Sequence, residues 1–324
     1  MTGTRVLRTG AGSLPSAPVI VGLRELGCTV IAADADPLSV GFYDADAAAV
    51  VPRADAPEFV DALLDLCARE RIDTILPAVN EEIVILTRER ERFAAAGVSI
   101  VAPESAVVEV CLDKLATVEA LRAIGVEAPE TRVIGPDLEA ADSFRYPAIA
   151  KPRAGRGSRG VAEIADAAEL RARIPEWREP MVLQERLDGD EYTIDLLADA
   201  EGQLCQASVR RRLKVNAGIS VAGEIVSPEP FIDALEVLTR ELRLVGPSCV
   251  QGKLDAAGRP CFYDINPRLG GGVALSLRAG TPILAGILAL LRGDPIPRAI
   301  GAGVGTRFLR KYEEVYLDDQ GDRL

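Results

Sequence analysis

The chain has 324 residues, 48% of them hydrophobic, and a formal net charge of −12 at pH 7. This length favours two or three domains, and the negative charge argues against nucleic acid as a partner. The chain has no histidine, and its six cysteines form no C-x-x-C pair, which argues against zinc and excludes Ser-His and Cys-His nucleophiles. The longest apolar run, 282–291, is too short to span a bilayer, so we expect a cytoplasmic protein without a membrane partner.

The first hundred residues predict a small parallel α/β unit that Pro103 closes. Gly10, Gly12 and Asp34 match part of a dinucleotide fingerprint. Pro15 stands where the third glycine would allow close helix packing, so we do not favour NAD binding. The predicted elements are a strand and glycine turn over 5–12, a helix ending at 27, a strand over 28–34, a helix over 58–69, a strand over 74–77, a helix over 81–95 and a strand over 98–101.

The loop after the predicted strand 74–77 carries Asn80 and Glu81. Open α/β sheets bind ligands beyond the carboxyl ends of their strands, so these two side chains are candidates for substrate contact. An Asn followed by an acid is also a common way to begin a helix. We favour the second interpretation, in which Asn80 is an ordinary N-cap.

Lysine is rare in this chain, which has 37 basic residues but only five lysines. Where an arginine-rich chain keeps Lys, a compact and rotatable ammonium group is a plausible reason. Lys114 lies in a helix predicted over 105–124, and Lys151 lies in a strand predicted over 147–152. A glycine- and arginine-rich loop over 153–161 follows, which predicts a phosphate-covering loop, although no G-K-[ST] follows the glycines as in a P-loop.

Three arginines in a row, Arg210 to Arg212, form a positive cluster with Lys214. A charge run is usually a solvated face, but in a chain this acidic the cluster favours a pocket for a carboxylate or phosphate. Further strands are predicted over 181–187 and 191–196, joined by a turn at 188–190, and over 307–317 as a closing strand.

The stretch 250–272 predicts a β-hairpin, because apolar and polar residues alternate on both sides of a turn at 257–258. Side chains two residues apart in a strand point to the same face. The first strand thus presents Gln251, Lys253 and Asp255 on one face, and the second presents Asp264 and Asn266.

The oxygen donors of this hairpin suit Mg²⁺ that is held jointly with substrate phosphates. Arg268 follows two residues after Asn266, and its planar fork suits a phosphate or an acyl phosphate. The alternative is an edge hairpin with a solvated polar face. A solvated polar face would not require the complete pattern Q-x-K-x-D … D-x-N-P-R-x-G-G-G, so the pattern favours the metal and phosphate site.

At these residues the chain resembles the ATP-grasp superfamily, most closely the stand-alone ligases similar to one half of the carbamoyl phosphate synthetase large subunit. The family usually has Glu where this chain has Asp264. The resemblance covers essentially the whole chain and implies an N-terminal parallel α/β domain, Rossmann-like, followed by an ATP-grasp fold of two α+β subdomains that clasp ATP. The implied bounds are 1–103 for the first domain and 104–324 for the second, with a lid subdomain at about 128–187 and a large subdomain at about 188–324.

The resemblance also implies roles for individual residues, with ATP and Mg²⁺ as cofactors and Mn²⁺ as an alternative metal. The implied nucleotide-binding residues are Lys114, Lys151, Gly155, Gly157, Ser158, Gly160, the adenine hinge Gln184, Glu185, Arg186 and Leu187, and Glu191 at the ribose. The implied metal-binding residues are Gln251, Asp264 and Asn266. The implied catalytic residues are Arg268, Lys151 and Lys253, and the implied substrate-binding residues are Arg210, Arg212, Lys214, Arg268 and Gly271.

The resemblance implies a carboxylate–amine ligase, in which ATP phosphorylates a carboxylate and an amine attacks the acyl phosphate. Small-molecule carboxylate and amine substrates are the expected partners, and a homodimer is left open. Gly271 stands where carbamoyl phosphate synthetases have a second arginine, which favours a carboxylate with a larger body. The alternatives are carbamoyl phosphate synthesis or another bicarbonate-activating reaction, and an inactive nucleotide-binding homologue, which the shortened acid at Asp264 makes conceivable.

Overall fold

The computed structural model describes residues 3–135, 142–155, 159–216, 218–311 and 313–319. Within these ranges the strands form three sheets, of five, four and seven strands. The first sheet is parallel and the other two are largely antiparallel, as the sequence predicts.

The five-stranded sheet has the order β3-β2-β1-β4-β5. The chain reverses direction across the sheet between β1 and β4, and such a switch point opens a crevice beyond the carboxyl ends of the strands. Its strands are β1 (Arg5–Thr9), β2 (Thr29–Asp34), β3 (Ala47–Val50), β4 (Thr74–Leu76) and β5 (Ser99–Ile100), and its helices are α1 (Ser16–Glu25), α2 (Phe59–Glu70), α3 (Asn80–Arg88) and α4 (Arg90–Ala95).

Two helices that the sequence predicts as continuous are each divided. The segment 81–95 breaks between α3 and α4, and the segment 105–124 breaks into α5 (Ser105–Leu112) and α6 (Lys114–Ala123). At the second break Asp113 has extended backbone angles, and its carboxylate accepts hydrogen bonds from the N–H groups of Leu115 and Ala116. Asp is a strong N-cap residue, so it begins a new helix here and places Lys114 at the first helical position.

The four-stranded sheet has the order β6-β9-β7-β8. Its core contains Phe144, Ile164, Leu170, Met181 and Leu183. The elements are β6 (Thr131–Ile134), β7 (Ala148–Pro152), β8 (Ala162–Ile164), α7 (Ala167–Arg173) and β9 (Met181–Glu185).

The seven-stranded sheet has the order β14-β13-β10-β11-β12-β16, and β15 pairs with β11. The predicted closing strand 307–317 is much shorter than expected, because only three of its residues pair with β12. The elements are β10 (Glu191–Ala198), β11 (Leu204–Asn216), β12 (Ile219–Val226), α8 (Ile232–Glu241), β13 (Gly246–Leu254), β14 (Pro260–Asn266), α9 (Val273–Arg278), α10 (Ile283–Arg292), β15 (Ala299–Ile300) and β16 (Arg307–Leu309).

The two faces of the seven-stranded sheet have opposite chemistry. One face is apolar and contributes Ile194, Val209, Val250 and Phe262 to a core shared with α6 and α8. Alternation places the neighbouring polar residues of the same strands on the other face. Polar side chains from four strands therefore project from that face into the same space.

A further apolar core joins the first sheet to the seven-stranded sheet. It contains Val6 and Leu76 from the first sheet and Leu269, Val273 and Ile283 from the segment after β14. This packing brings the carboxyl ends of β1 and β4 against the loop that follows the predicted metal-binding hairpin. None of the described helices has the length and apolarity needed to cross a bilayer.

Candidate active site

A cavity of about 590 Å³ lies where the three sheets meet. Its lining contains most of the residues that the sequence predicts as functional. These are Lys114, Lys151, Gly155, Gln184, Glu185, Arg186, Leu187, Glu191, Arg210, Arg212, Gln251, Lys253, Asp264, Asn266, Arg268 and Gly271. Gly160 and Lys214 lie outside the described lining, and Gly157 and Ser158 lie outside the described residues.

Strand pairing explains how these residues meet. One row across four strands contains Arg210, Thr193, Gln251 and Asp264, in which each residue is the direct partner of the next. Directly paired side chains on one face of a sheet lie within about 5.5 Å of each other. Gln251 and Asp264 thus lie directly opposite each other on one face of the sheet.

Lys151 lines the cavity and is buried, with 7% of its surface exposed. Its Nζ donates a hydrogen bond of 2.8 Å to Oε1 of Gln184, whose Nε2 donates to Oγ1 of Thr131 at 2.8 Å. The Nζ also lies 5.3 Å from the ring centroid of Tyr263. Gln184 is predicted to offer its backbone to adenine, and its side chain here orients the cation that is predicted to meet phosphate.

Burial lowers the pKa of Lys151 from its ordinary 10.5 to about 8, although the charge of Asp264 raises it. Above pH 8 the amino group of Lys151 is therefore neutral in a large share of the protein molecules. A bound phosphate would favour its ammonium form. We expect nucleotide binding at pH 8.5 to take up a proton, and the affinity to fall as the pH rises further. Calorimetry in buffers of different ionisation enthalpy measures this uptake.

Lys151→Arg is the control for this proton uptake, because a guanidinium stays protonated throughout this range. Its binding enthalpy at pH 8.5 should depend less on the buffer than that of the wild type, because only proton uptake at Lys114, whose pKa burial also lowers, remains. A wild-type enthalpy that depends on the buffer no more than that of the variant would contradict the lowered pKa of Lys151.

The glycine-rich loop is tied to α6 at its start. The backbone N–H of Lys114 donates to the carbonyl of Arg153 at 2.9 Å, and its Nζ donates to the carbonyl of Gly155 at 3.2 Å. Arg153 also forms an ion pair with Asp113 at 2.7 Å. Gly155 has a φ of 131°, which an L side chain rarely adopts. Because a new helix begins after Asp113, Asp113 and Lys114 both contact the start of the glycine-rich loop.

Glu191 lies at the edge of the cavity and is predicted to bind ribose. Its Oε1 accepts hydrogen bonds from Oη of Tyr263 at 2.7 Å and from Nη1 of Arg212 at 2.5 Å. Sequence reasoning missed Tyr263, because strict alternation places it on the face opposite to Asp264. The pairing shifts after Gln251, so Tyr263 is the extra residue of a β-bulge and can reach Glu191.

Lys253 and Asp255 lie further along the same hairpin. The Nζ of Lys253 lines the cavity and donates to the carbonyl of Leu187 at 2.9 Å, so it supports the predicted adenine hinge. Asp255 lies past the end of β13, where its carboxylate accepts from the N–H groups of Ala257 and Arg259. The expectation that Asp255 shares the functional face is wrong, because it caps the turn.

The hairpin supplies hard oxygen donors that fit Mg²⁺. Gln251 and Asp264 are direct cross-strand partners, and Nδ2 of Asn266 donates to Oδ2 of Asp264 at 2.6 Å. Within the described ranges no three His, Cys, Asp or Glu side chains form a metal-binding group. One carboxylate with amide oxygens agrees with the way proteins bind Mg²⁺, which usually keeps waters and substrate phosphates as ligands.

Asn80 and Arg268 meet beside these donors. Nε of Arg268 donates to Oδ1 of Asn80 at 2.7 Å, and Nη2 of Arg268 donates to Oδ1 of Asn266 at 3.2 Å. The N-cap of α3 is Val79, and no side chain caps this helix. The interpretation of Asn80 as an ordinary N-cap is therefore wrong, because its amide instead contacts the predicted phosphate-binding arginine.

The arginine cluster is already balanced by carboxylates. Arg210 has 2% of its side chain exposed and pairs with Asp195 at 2.8 Å. Arg212 pairs with Glu191, and Arg211 pairs with Asp190 and Glu224. Arg210 and Arg212 line the cavity, but their role as substrate anchors stays a prediction, as does that of the exposed Lys214.

The three glycines after Leu269 have different surroundings. A Cβ on Gly270 would lie 2.6 Å from Sγ of Cys249, and one on Gly272 would collide with the guanidinium of Arg210. A Cβ on Gly271 would meet no heavy atom within 4 Å. The buried ion pair of Arg210 therefore requires glycine at 272, whereas position 271 opens onto free space in the cavity.

We expect Gly272→Ala to lower the free energy of unfolding by about 1 to 3 kcal/mol, the usual cost of overpacking a filled site. Gly271→Ala should change it by less than about 0.5 kcal/mol. Urea unfolding of the two variants measures the difference. Equal stabilities would show that Arg210 moves aside at little cost.

Two family models match the chain. Residues 20–101 match the model of PylC-like N-terminal domains, and residues 177–304 match a model described as ATP-grasp in the biosynthetic pathway with Ter operon. The first match ends at the last strand of the five-stranded sheet, and the second includes the seven-stranded sheet up to β15.

Two curated relatives align with most of the chain. An uncharacterized protein, y4rH, of Sinorhizobium fredii is 28% identical over an alignment of 260 residues that covers 65% of this chain and 52% of the relative. The carbamoyl phosphate synthase large chain of Thermus thermophilus is 24% identical over an alignment of 275 residues that covers 75% of this chain and 26% of the relative. The chain thus spans about half the length of the first relative and about a quarter of the second.

Solved structures share the fold at low sequence identity. The biotin carboxylase domain of Hydrogenobacter thermophilus 2-oxoglutarate carboxylase, a dimer in complex with MgADP, ADP and bicarbonate, has a TM-score of 0.76 at 17% identity over 94% of this chain and 73% of its own. An L-amino acid ligase from Bacillus licheniformis has a TM-score of 0.70 at 16% identity over 90% and 75%. Sheet topology and family matches together show that the chain is an ATP-grasp superfamily protein with a PylC-like N-terminal domain.

Proposed function

We propose that the protein is an ATP-dependent carboxylate–amine ligase that forms an amide or peptide bond through an acyl phosphate. The observation that carries the proposal is the single cavity that joins three sets of groups. These are the buried Lys151–Gln184 pair, the oxygen donors at Asp264 and Asn266, and Arg268. These groups would serve the nucleotide, its metal and the transferring phosphoryl group, respectively.

In the first step, a carboxylate oxygen of the substrate attacks the γ-phosphorus of ATP. The bond between that phosphorus and the β–γ bridging oxygen breaks, and ADP leaves. Lys114 and Lys151 bind the phosphates and offset their charge, while Arg268 holds the phosphoryl group during transfer. Mg²⁺, bound by Asp264, Asn266 and Gln251, would supply charge neutralisation at the phosphate oxygens.

In the second step, the amine nitrogen attacks the carbonyl carbon of the acyl phosphate. The carbon–oxygen bond to phosphate breaks, and the leaving inorganic phosphate takes up the proton that the nitrogen loses. This chemistry needs alignment and charge neutralisation more than a covalent intermediate on the protein. It is therefore compatible with a chain that has no histidine.

The compartment beyond Arg268 suits a carboxylate with an organic body. Gly271 opens onto free space, and loops from the first sheet complete the wall with Leu14, Pro15, Ala78 and Val79. These side chains are small or apolar, so they would accept an apolar substrate body while Arg268 pairs with the carboxylate. The shared fold with an L-amino acid ligase supports this substrate class.

A bicarbonate-activating reaction is the second candidate. It is favoured by the shared fold with a biotin carboxylase domain whose structure contains bicarbonate. A small anion would need close positive charge on every side, whereas Gly271 contributes space.

The biotin carboxylase domain with the shared fold is a dimer, and a homodimer of this chain stays a prediction.

Pairs of amino acids and other organic acids with amines, tested for ADP release, distinguish the two candidates. We expect at least one pair to give ADP, phosphate and amide in equal amounts, and bicarbonate with or without ammonia to give only background hydrolysis. Carbamoyl phosphate formed at the rate of ADP release would overturn the ligase proposal in favour of the second candidate.

A further inference from the structure

Asn80 links the first sheet to the predicted metal-binding hairpin. It is the first residue of α3 and lies beyond the carboxyl end of β4. Its Nδ2 donates to Oδ1 of Asn266 at 3.2 Å, and its Oδ1 accepts from Nε of Arg268 at 2.7 Å. One amide thus contacts both the predicted metal ligand and the predicted phosphoryl-binding arginine.

The end groups of this network fix the direction of every hydrogen bond. Arg268 can only donate, so the oxygen of Asn80 must face it and the nitrogen of Asn80 must face Asn266. The carboxylate of Asp264 can only accept, so the nitrogen of Asn266 must face Asp264 at 2.6 Å. The carbonyl oxygen of Asn266, which is the predicted metal donor, therefore accepts from Nδ2 of Asn80 and from Nη2 of Arg268, and Asn80 contacts both of these residues.

Helix α3, which carries Asn80, is firmly packed. Glu82, two residues along α3, is 8% exposed and accepts a hydrogen bond of 2.5 Å from Oγ1 of Thr9 at the end of β1. Ile83 and Leu86 of the same helix have no exposed surface. A side chain on such a helix can hold its partners within a narrow range of positions.

We propose that Asn80 is a positioning residue that sets the amide of Asn266 for the metal and the guanidinium of Arg268 for the phosphoryl group. This role rests on the proposed function. The first sheet then takes part in phosphoryl transfer, in addition to walling the substrate compartment. Outer partners of metal ligands commonly change metal affinity or activity by about 10- to 100-fold when they are removed.

The test measures binding of ADP and of a non-hydrolysable ATP analogue to the full chain as Mg²⁺ is titrated. For Asn80→Ala we expect the Mg²⁺ concentration at half-maximal analogue binding to rise about 10- to 100-fold. Binding of ADP without metal should not change, because Lys151 and Gln184 are untouched. Substrate-dependent ADP release should fall mainly in kcat, since the groups that move act on the transferring phosphoryl.

Asn80→Asp separates the two contacts of the amide and keeps its shape. Its carboxylate still accepts from Arg268 but cannot donate to Asn266, so we expect a raised Mg²⁺ requirement with a smaller loss of kcat. Arg88→Ala, at the far end of α3, removes only an exposed ion pair with Glu109 and should match the wild type. Melting temperatures of all variants identify any loss of fold.

If the wild type binds the analogue only with Mg²⁺ and both Asn80 variants show the same Mg²⁺ dependence, the positioning role is overturned. The proposed function would still stand in that case. Equal losses of metal-free ADP binding and analogue binding would also overturn the positioning role, because they indicate a general structural role. A wild type without any nucleotide binding would overturn the proposed function itself and, with it, this role.

Discussion

Asp264→Asn is expected to abolish Mg²⁺-dependent turnover while leaving the melting temperature nearly unchanged. The substitution keeps the shape of the side chain but removes the only carboxylate among the predicted metal-binding residues. It also places an amide against Nδ2 of Asn266, which now donates to Oδ2 of Asp264 at 2.6 Å. The loss should be at least the roughly 10- to 100-fold that outer partners of metal ligands produce, and ADP release against Mg²⁺ concentration measures it.

Asp255→Asn is the matched control, because it removes the other acid of the same hairpin. Asp255 caps the turn with the N–H groups of Ala257 and Arg259. Its replacement should lower the melting temperature and leave turnover intact. A reversed result, with activity retained in Asp264→Asn and stability lost, would make Asp264 a structural residue and require a different metal ligand.

Lys151→Met is expected to weaken ATP binding by about 1.5 to 3 kcal/mol, the range for a hydrogen bond to a charged group. This corresponds to roughly 10- to 150-fold in the dissociation constant. Met preserves most of the buried side-chain volume, and burial already disfavours the ammonium form by lowering the pKa to about 8. The melting temperature should therefore hold or rise while binding and turnover are lost.

Lys311→Met provides the control for loss of one lysine. Its side chain is 86% exposed, and it pairs with Glu313 only at 3.9 Å. Calorimetric titration with ATP compares the two variants with the wild type. Wild-type affinity in Lys151→Met would show that this ammonium does not meet the nucleotide.

Sequence patterns predicted the site best where short-range periodicity determines the structure. The hairpin of β13 and β14 follows from alternation, but the bulge at Tyr263, which alternation does not predict, is what brings Gln251 opposite Asp264. The parallel sheet likewise follows from alternating strands and helices. In both cases the neighbours along the chain determine which way each side chain points.

Features that depend on distant partners were missed or misjudged. Apolar periodicity continues across Asp113, so the sequence predicted one helix where a capping carboxylate begins a second. The cap preference of Asp was the available signal. Arg210 was predicted as a substrate anchor, but its partner Asp195 lies on a neighbouring strand, and no local pattern identifies that pairing.

The interpretation of Asn80 was wrong for the same reason, because its partners are also distant along the chain. The carboxyl end of β4 was recognised as a place for ligand contacts, yet local statistics favoured a helix cap. Its partners Asn266 and Arg268 are 186 and 188 residues away along the chain. Only the packing of the first sheet against the segment after β14 brings them together.

The charge of Asp264 has a consequence for the order in which ligands associate. Burial lowers the pKa values of Lys114 and Lys151, and the negative charge of Asp264 opposes that effect in both. A divalent cation arriving alone would neutralise Asp264 and repel the two ammonium groups, whereas a polyphosphate would compensate all of them. Metal and nucleotide should therefore associate cooperatively, and by thermodynamic linkage each should raise the affinity for the other by the same factor.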